Sequence, residues 1–191
     1  MRGLFLVFIF TGLLLSCSAD YSPKPRAYHR IDFPEKHYIQ QKVAGCPYEF
    51  ESPVYGVLTN DVTRNSAPCW KNIDFKDYNA TLHLSYFRIS DKAPLSQLTE
   101  DARSFVFKHT SKATGIDQQT IEIPQHNVSG LEFNIQGNTA SNFQFYVTDQ
   151  QNHYLRGALY FNEKPNLDSI YPVLDFLKTD IKHIINTIRW K

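Results

Sequence analysis

Seven histidines (His29, His37, His83, His109, His126, His153, His183) and three cysteines (Cys17, Cys46, Cys69) are the side chains of this 191-residue sequence best suited to nucleophilic, acid–base or metal chemistry. Their spacing argues against most of it. No two histidines stand as H-x-H or H-E-x-x-H, so no metal site is read. His83 alternates with Thr81 and Ser85 at a two-residue period, which puts all three on one polar strand face, solvated or covered by a helix. Glu100 and Asp101 are paired carboxylates, but adjacent helical residues point about 100° apart and seldom share a site. They read as decoration of a helix start. No G-x-S-x-G elbow, S-x-x-K pair or phosphate-binding glycine loop occurs. No catalytic residue and no cofactor are therefore expected, and the chain reads as no enzyme.

One cysteine has chemistry written around it. Arg2 begins a leader whose apolar core, Leu4 to Phe10 and Leu13 to Leu15, is too short to anchor stably across a bilayer. It runs into Leu14-Leu15-Ser16-Cys17, which resembles the lipobox of bacterial lipoprotein precursors. The thiol takes a diacylglycerol by thioether linkage, and the small residue before it lets a signal peptidase reach the bond. Each buried acyl CH₂ contributes roughly 0.8 kcal/mol, so two or three chains hold a protein to a membrane almost permanently. Cys17 is thus the expected lipidation site, residues 1–16 the signal peptide, and the membrane a partner through that lipid.

Lipidation leaves Cys46 and Cys69, an even pair in an oxidising compartment. One disulfide is the simplest reading, worth about 3 kcal/mol for a loop of that length. A reactive or redox thiol is the alternative, though neither cysteine sits in C-x-x-C. The formal net charge of +1 includes Arg2, so the mature chain is near neutral, which argues against nucleic acid as a partner. Aromatic residues make up 14% of the chain, which suits a β-rich fold with a recognition surface.

The elements that would carry these residues follow from hydrophobic period. Residues 17–30, with Pro23 and Pro25, lack apolar periodicity and read as a lipidated, extended tether. Residues 31–191 read as a single globular domain. Pro53, Gly56, Asn60, Asp61, Asn65, Ser66 and Pro68 mark a loop-rich stretch between the two cysteines. Leu82, Leu84 and Tyr86 alternate as a half-buried strand. From Pro94 to His109 the period becomes helical, with Leu95, Leu98, Ala102, Phe105 and Val106 on one face and Gly115 ending it. Three further alternating runs, through Phe133, Phe145 and Leu159, are joined by short polar connections and read as an antiparallel meander. A long amphipathic helix closes the chain, from Ile170 through Ile188, with Asp168 or Ser169 as cap and Pro172 in its first turn. The fold expected is α+β: a curved antiparallel sheet, a mid-chain helix and a long C-terminal helix. In element order it resembles the Mog1/PsbP-like αβα sandwich.

The segment Tyr21-Ser22-Pro23-Lys24-Pro25-Arg26-Ala27-Tyr28-His29-Arg30-Ile31-Asp32-Phe33-Pro34 resembles the opening of the gliding-motility lipoprotein GldD family of Bacteroidota, save that Ala27 stands where that family has glycine. Cys46-Pro47-Tyr48-Glu49-Phe50, Cys69-Trp70 and the run from Ala80 to Tyr86 continue the likeness in order. The resemblance implies a non-enzymatic envelope lipoprotein of gliding motility and the associated type 9 secretion machinery, with other proteins of that machinery as partners. Arg26, Tyr28 and Arg30 are the residues expected to make partner contact, since arginine and tyrosine dominate interface hot spots; packing of the arm on its own domain is the other use open to them. Ser18 directly after the lipid cysteine, with only Asp20 acidic nearby, points to the outer membrane, facing the periplasm, by analogy with lipoprotein sorting. A binding module holding a lipid or glycan between sheet and C-terminal helix is the alternative role; an envelope hydrolase centred on His83 is a more distant one. Asp168-Ser169-Ile170 resembles an O-glycosylation sequon of exported Bacteroidota proteins, and Asn79-Ala80-Thr81 and Asn127-Val128-Ser129 match the N-glycan pattern.

Overall fold

The computed structural model describes residues 30–63, 66–90 and 93–191. The chain divides into two units, Met1–Ile31 and Asp32–Lys191. The elements of the second are β1 (Tyr38–Lys42), β2 (Tyr48–Pro53), β3 (Val57–Asn60), β4 (Lys71–Phe75), β5 (Ala80–Arg88), α1 (Leu95–Phe107), β6 (Ala113–Ile123), β7 (Val128–Gly137), β8 (Phe143–Thr148), β9 (His153–Phe161), α2 (Leu167–Thr187) and β10 (Arg189–Trp190). Every strand pair is antiparallel. Seven strands form the larger sheet in the order β3-β4-β5-β9-β8-β7-β6, and β1-β2-β10 form a smaller one.

Alternation places apolar residues on both faces of the large sheet. Leu82 and Leu84 of β5, Phe143, Phe145 and Val147 of β8, and Leu155 and Leu159 of β9 pack with Leu174, Leu177, Ile181 and Ile185 of α2. The opposite face presents Phe133, Ile135, Tyr146 and Tyr154 to Leu98, Ala102 and Val106 of α1. Tyr154 also donates its hydroxyl to the Leu98 carbonyl at 3.0 Å, pinning that helix to β9. The result is three layers, helix, sheet, helix, with the small sheet against the same side as α2 through Tyr48 and Phe50. The mixed α+β architecture expected from the sequence is the one observed.

Several local expectations differ. All six residues of β8 are buried, because a helix covers each face where one-sided burial was expected. Residues 113–123 form edge strand β6, so Gly115 lies within a strand and α1 stops at Phe107. That strand is mostly exposed and polar, and an edge with one bare face carries almost no alternation for a reader to find. Glu100 and Asp101 fall mid-helix rather than at its start, and Asp101 accepts from Gln97 at 2.8 Å. Phe105 turns to solvent, 44% exposed, with Lys108 and Arg156 each 4.7 Å from its ring. The C-terminal helix begins at Leu167 with Asn166 at the cap position, where Asp168 or Ser169 was expected, so Pro172 stands inside it. Its start is held from outside, by Asn138 Oδ1 accepting the Leu167 N–H at 2.8 Å.

The stretch between the cysteines is less loop than it reads, for it contains β2, β3 and the turn leading to β4. The structure joins Cys46 to Cys69 with their Cα atoms 5.5 Å apart, tying the start of β2 to that turn. Asn79 and Asn127, which open the two N-glycan patterns, have a backbone role. Each ends a single 3-10 turn in a hairpin, at φ 48° and 51°, before β5 and β7 respectively. Asparagine tolerates the left-handed region better than other residues with a Cβ.

Candidate functional site

Of the site residues expected from the sequence, Cys17, Arg26 and Tyr28 lie outside the described residues; Arg30 is exposed in irregular chain. His83 is half-buried on the α1 face, its Nδ1 2.8 Å from Asn72 Oδ1 and its ring edge-on to Tyr160 at 5.5 Å. Burial holds its pKa below the ordinary histidine value. Asp74, the carboxylate on the next strand, accepts from Thr59 and Thr81 at 2.9 Å each. Beyond Tyr160 on this face, Arg156 donates to Gln144 Oε1 at 2.6 Å. These contacts lock side chains together across strands. Among the described residues, no three His, Cys, Asp or Glu gather as a metal-binding group.

The most concentrated polar cluster matches no motif in the sequence. Phe176, Asp180 and His183 stand at i, i+4 and i+7 on α2, one stripe of the helix. The chain entering the domain lies along that stripe. Phe33 stacks on Phe176 with centroids 4.3 Å apart. Lys36 Nζ is 2.8 Å from Asp180 Oδ2, 2.9 Å from the Phe176 carbonyl and 3.3 Å above the Phe176 ring. Tyr38 donates to Asp180 Oδ1 at 3.0 Å, and Tyr55 donates to Oδ2. The Tyr38 ring also stacks on that of His183 at 3.6 Å, and His183 Nε2 is 2.8 Å from Glu51.

Asp180 is completely inaccessible to solvent. A buried carboxylate is tolerable only when paired and fully hydrogen-bonded, and here one ammonium and two phenols do that. The phenols bear the electrostatic mark: burial, then the Asp180 hydrogen bond and charge, push Tyr38 up to about 12 and Tyr55 higher still. The signal available in the sequence was an aspartate inside the apolar stripe Leu177, Ile181, Ile184. An acid at a core-facing helical position implies a cation close by.

The aromatic pocket conceivable between sheet and C-terminal helix is absent among the described residues, for Phe143, Phe145, Leu177 and Ile181 fill that space. A groove runs instead along the outer flank of α2. It has a volume of about 1040 Å³ and is lined by polar side chains of β6 and β7 and by Tyr171, Lys178 and Lys182.

The model of the family described as gliding motility lipoprotein GldD matches residues 18–190. This chain belongs to that family. Membership makes it a lipid-anchored protein of the cell envelope and of gliding motility. Among the described residues no helix is long and apolar enough to cross a membrane. No curated protein matches this GldD-family chain. Among solved structures it is similar to PsbP (CyanoP) of Synechocystis sp. PCC 6803, at 11% identity over 86% of this chain and 98% of that one, with a TM-score of 0.46. It is also similar to the Ran-binding protein Mog1p of Saccharomyces cerevisiae, at 8% identity over 82% and 96%, with a TM-score of 0.49. At those scores neither likeness bears on what the GldD-family chain binds, and its three-layer arrangement stands on its own strand order and helix packing.

Proposed function

We propose that this protein is a non-enzymatic assembly component of the gliding-motility machinery and of the type 9 secretion system associated with it. Residues 1–16 are removed as a signal peptide, Cys17 carries the lipid, residues 17–30 form a tether, and residues 31–191 work as one domain. The lipid sits in the outer membrane on its periplasmic side, and the partners are other envelope proteins of the same machinery. Neither metal nor cofactor takes part.

The observation that carries this reading is the family match, which begins at residue 18, directly after the lipobox cysteine. The chemistry of the domain is consistent with it. The carboxylates and histidine that stand out on inspection, Asp180, Asp74 and His83, are each engaged by neighbouring side chains. They fasten elements together rather than facing a substrate.

Metabolic labelling with palmitate and affinity purification of the lipidated protein test the proposal together. The wild type is expected to incorporate label and to co-purify with envelope proteins required for motility, and Cys17→Ala to lose the label. Replacing Arg26, Tyr28 and Arg30 together by alanine is expected to reduce partner recovery with the melting temperature unchanged, and His83→Ala to be milder. Persistent labelling of Cys17→Ala rejects the anchor. Full partner recovery by the triple variant, with loss of motility in a folded His83→Ala protein, moves the functional surface to the sheet.

A further inference from the structure

The groove beside α2 is walled by polar side chains, some tied to one another and some not. Asp117 and Gln119 of β6 stand opposite Asn134 and Glu132 of β7, so all four share the sheet face that looks toward α2. Gln136 donates to Asp117 Oδ2 at 2.7 Å. Asn134 Oδ1 is buried and has no hydrogen-bond partner among the described residues. Leaving such an acceptor unmet costs roughly 1–3 kcal/mol, and because the atom is itself shielded from solvent, a donor in the groove meets it only once the amide turns outward. Tyr171, on the α2 wall, is 59% exposed. At about 1040 Å³ the space lies just above the ~300–1,000 Å³ typical of small-molecule sites.

We infer that this groove binds a neutral oligosaccharide. Planar carboxylate and amide groups in a row offer paired donors and acceptors at the spacing of vicinal hydroxyls. An exposed phenol ring offers an apolar face to the C–H side of a pyranose while keeping its hydroxyl wet. Charge favours a neutral ligand. Lys112 and Lys178 at the groove are offset by Asp117 and Asp168, and the third lysine, Lys182, is held at 3.1 Å by Glu132, which lies beyond the lining, so no excess field draws an anion. An acyl chain would meet Leu167 and the Tyr171 ring but otherwise polar side chains. An extended peptide would be drawn first to the unpaired backbone edge of β6, not to side chains on the face of the sheet. The inference goes beyond the assembly role and does not depend on it: it would add a grip on an envelope glycan to a protein already held by lipid.

Full-length lipidated protein in nanodiscs, titrated with maltotetraose and with chitotetraose, tests this by saturation-transfer NMR and calorimetry. At least one of the two is expected to bind. Tyr171→Ala combined with Gln119→Ala is expected to weaken it about tenfold or more without changing the melting temperature, since both side chains are exposed. Failure of both sugars to bind overturns the proposal. So does binding that the double variant leaves unchanged, or binding only of pyrophosphate or of a Ser/Gln-rich octapeptide run as comparators. Motility of a strain carrying the double variant separates the two readings: loss of sugar binding with motility intact sustains the site and detaches it from the assembly role.

Discussion

The ring of Phe145 lies across Gly157 on the neighbouring strand, so closely that a Cβ at position 157 would stand 2.1 Å from its Cε1. The two residues face each other in register between β8 and β9. Both strands are central, with α2 over this face, so the ring has nowhere to retreat. The aromatic ring fills what the glycine leaves empty, covering a backbone that would otherwise be bare.

Gly157→Ala should therefore destabilise the domain by about 1–3 kcal/mol or more, as overpacking does in dense cores. Adding Phe145→Leu should recover part of the loss, because the double variant restores room. Urea denaturation of the two single variants and the double gives the coupling directly, and simple additivity would show that the contact is not the cause.

Asp180→Ala should cost about 3–5 kcal/mol, since it leaves the Lys36 ammonium and two phenols around an empty place. Asp180→Asn keeps the shape and part of the hydrogen bonding, so its cost should be smaller. Thermal unfolding of both distinguishes a charge requirement from a packing one. Above the Asp180 stripe, Tyr38 should resist ionisation, so alkaline difference absorbance should show it titrating near 12 and not near 10.

Asp149 closes the turn between β8 and β9, its Oδ1 accepting the N–H groups of Gln151, Asn152 and His153 at 3.0, 2.8 and 2.8 Å. Burial alone would raise its pKa, but the three backbone donors outweigh burial and hold it below the ordinary 3.8. A folded-state value below the unfolded one means the carboxylate stabilises the fold above the unfolded pKa. That contribution disappears as pH falls through the folded value. Asp149→Ala should lose about 1–2 kcal/mol at neutral pH, and the gap between variant and wild type should close in strong acid. A gap that stays constant across the acid range would remove the carboxylate from the account.

Alkylating the protein without reductant should leave Cys46 and Cys69 unmodified, and intact mass would reveal either adduct. Reduction should lower stability by about 2–5 kcal/mol, the usual range for a native disulfide in a small exported domain.

How far these features could be foreseen depended on how much of each element is buried on one side only. Leu82 and Leu84 against His83 announce a strand plainly, and Leu177 and Ile181 a helix, because one face is apolar and the other not. β6 carries Gln118, Gln119 and Thr120 in succession and announces nothing, since an exposed edge needs no apolar face. β1 and β10 are similarly silent, being short and, in the case of β10, tied in by a partner far away in sequence. The start of α2 misled for a different reason: Ser169 has the chemistry of a cap, but the group that holds the first turn is Asn138 from another loop. Asp180 was passed over in the sequence although it interrupts the apolar run of Leu177, Ile181 and Ile184. Its partners carry no signal there, since Lys36 lies at the other end of the domain sequence and only the fold brings it back. The groove had no sequence signature at all, for Asp117, Asn134 and Tyr171 meet only through sheet register and helix placement.

Tension on the chain ahead of Phe33 would be met first by the Phe33–Phe176 stack, then by the Lys36–Asp180 pair, and only afterwards by the ladder of β1. The first holds are side-chain contacts, to α2 and to Tyr55 and Tyr78. They can let go one after another while the seven-stranded sheet keeps every hydrogen bond. Freeing residues 33–36 would let out about 14 Å of chain at roughly 3.5 Å per residue, a short length of slack ahead of the sheet. Pulled from its N-terminal side, the protein would yield by that small step before the seven-stranded sheet began to tear.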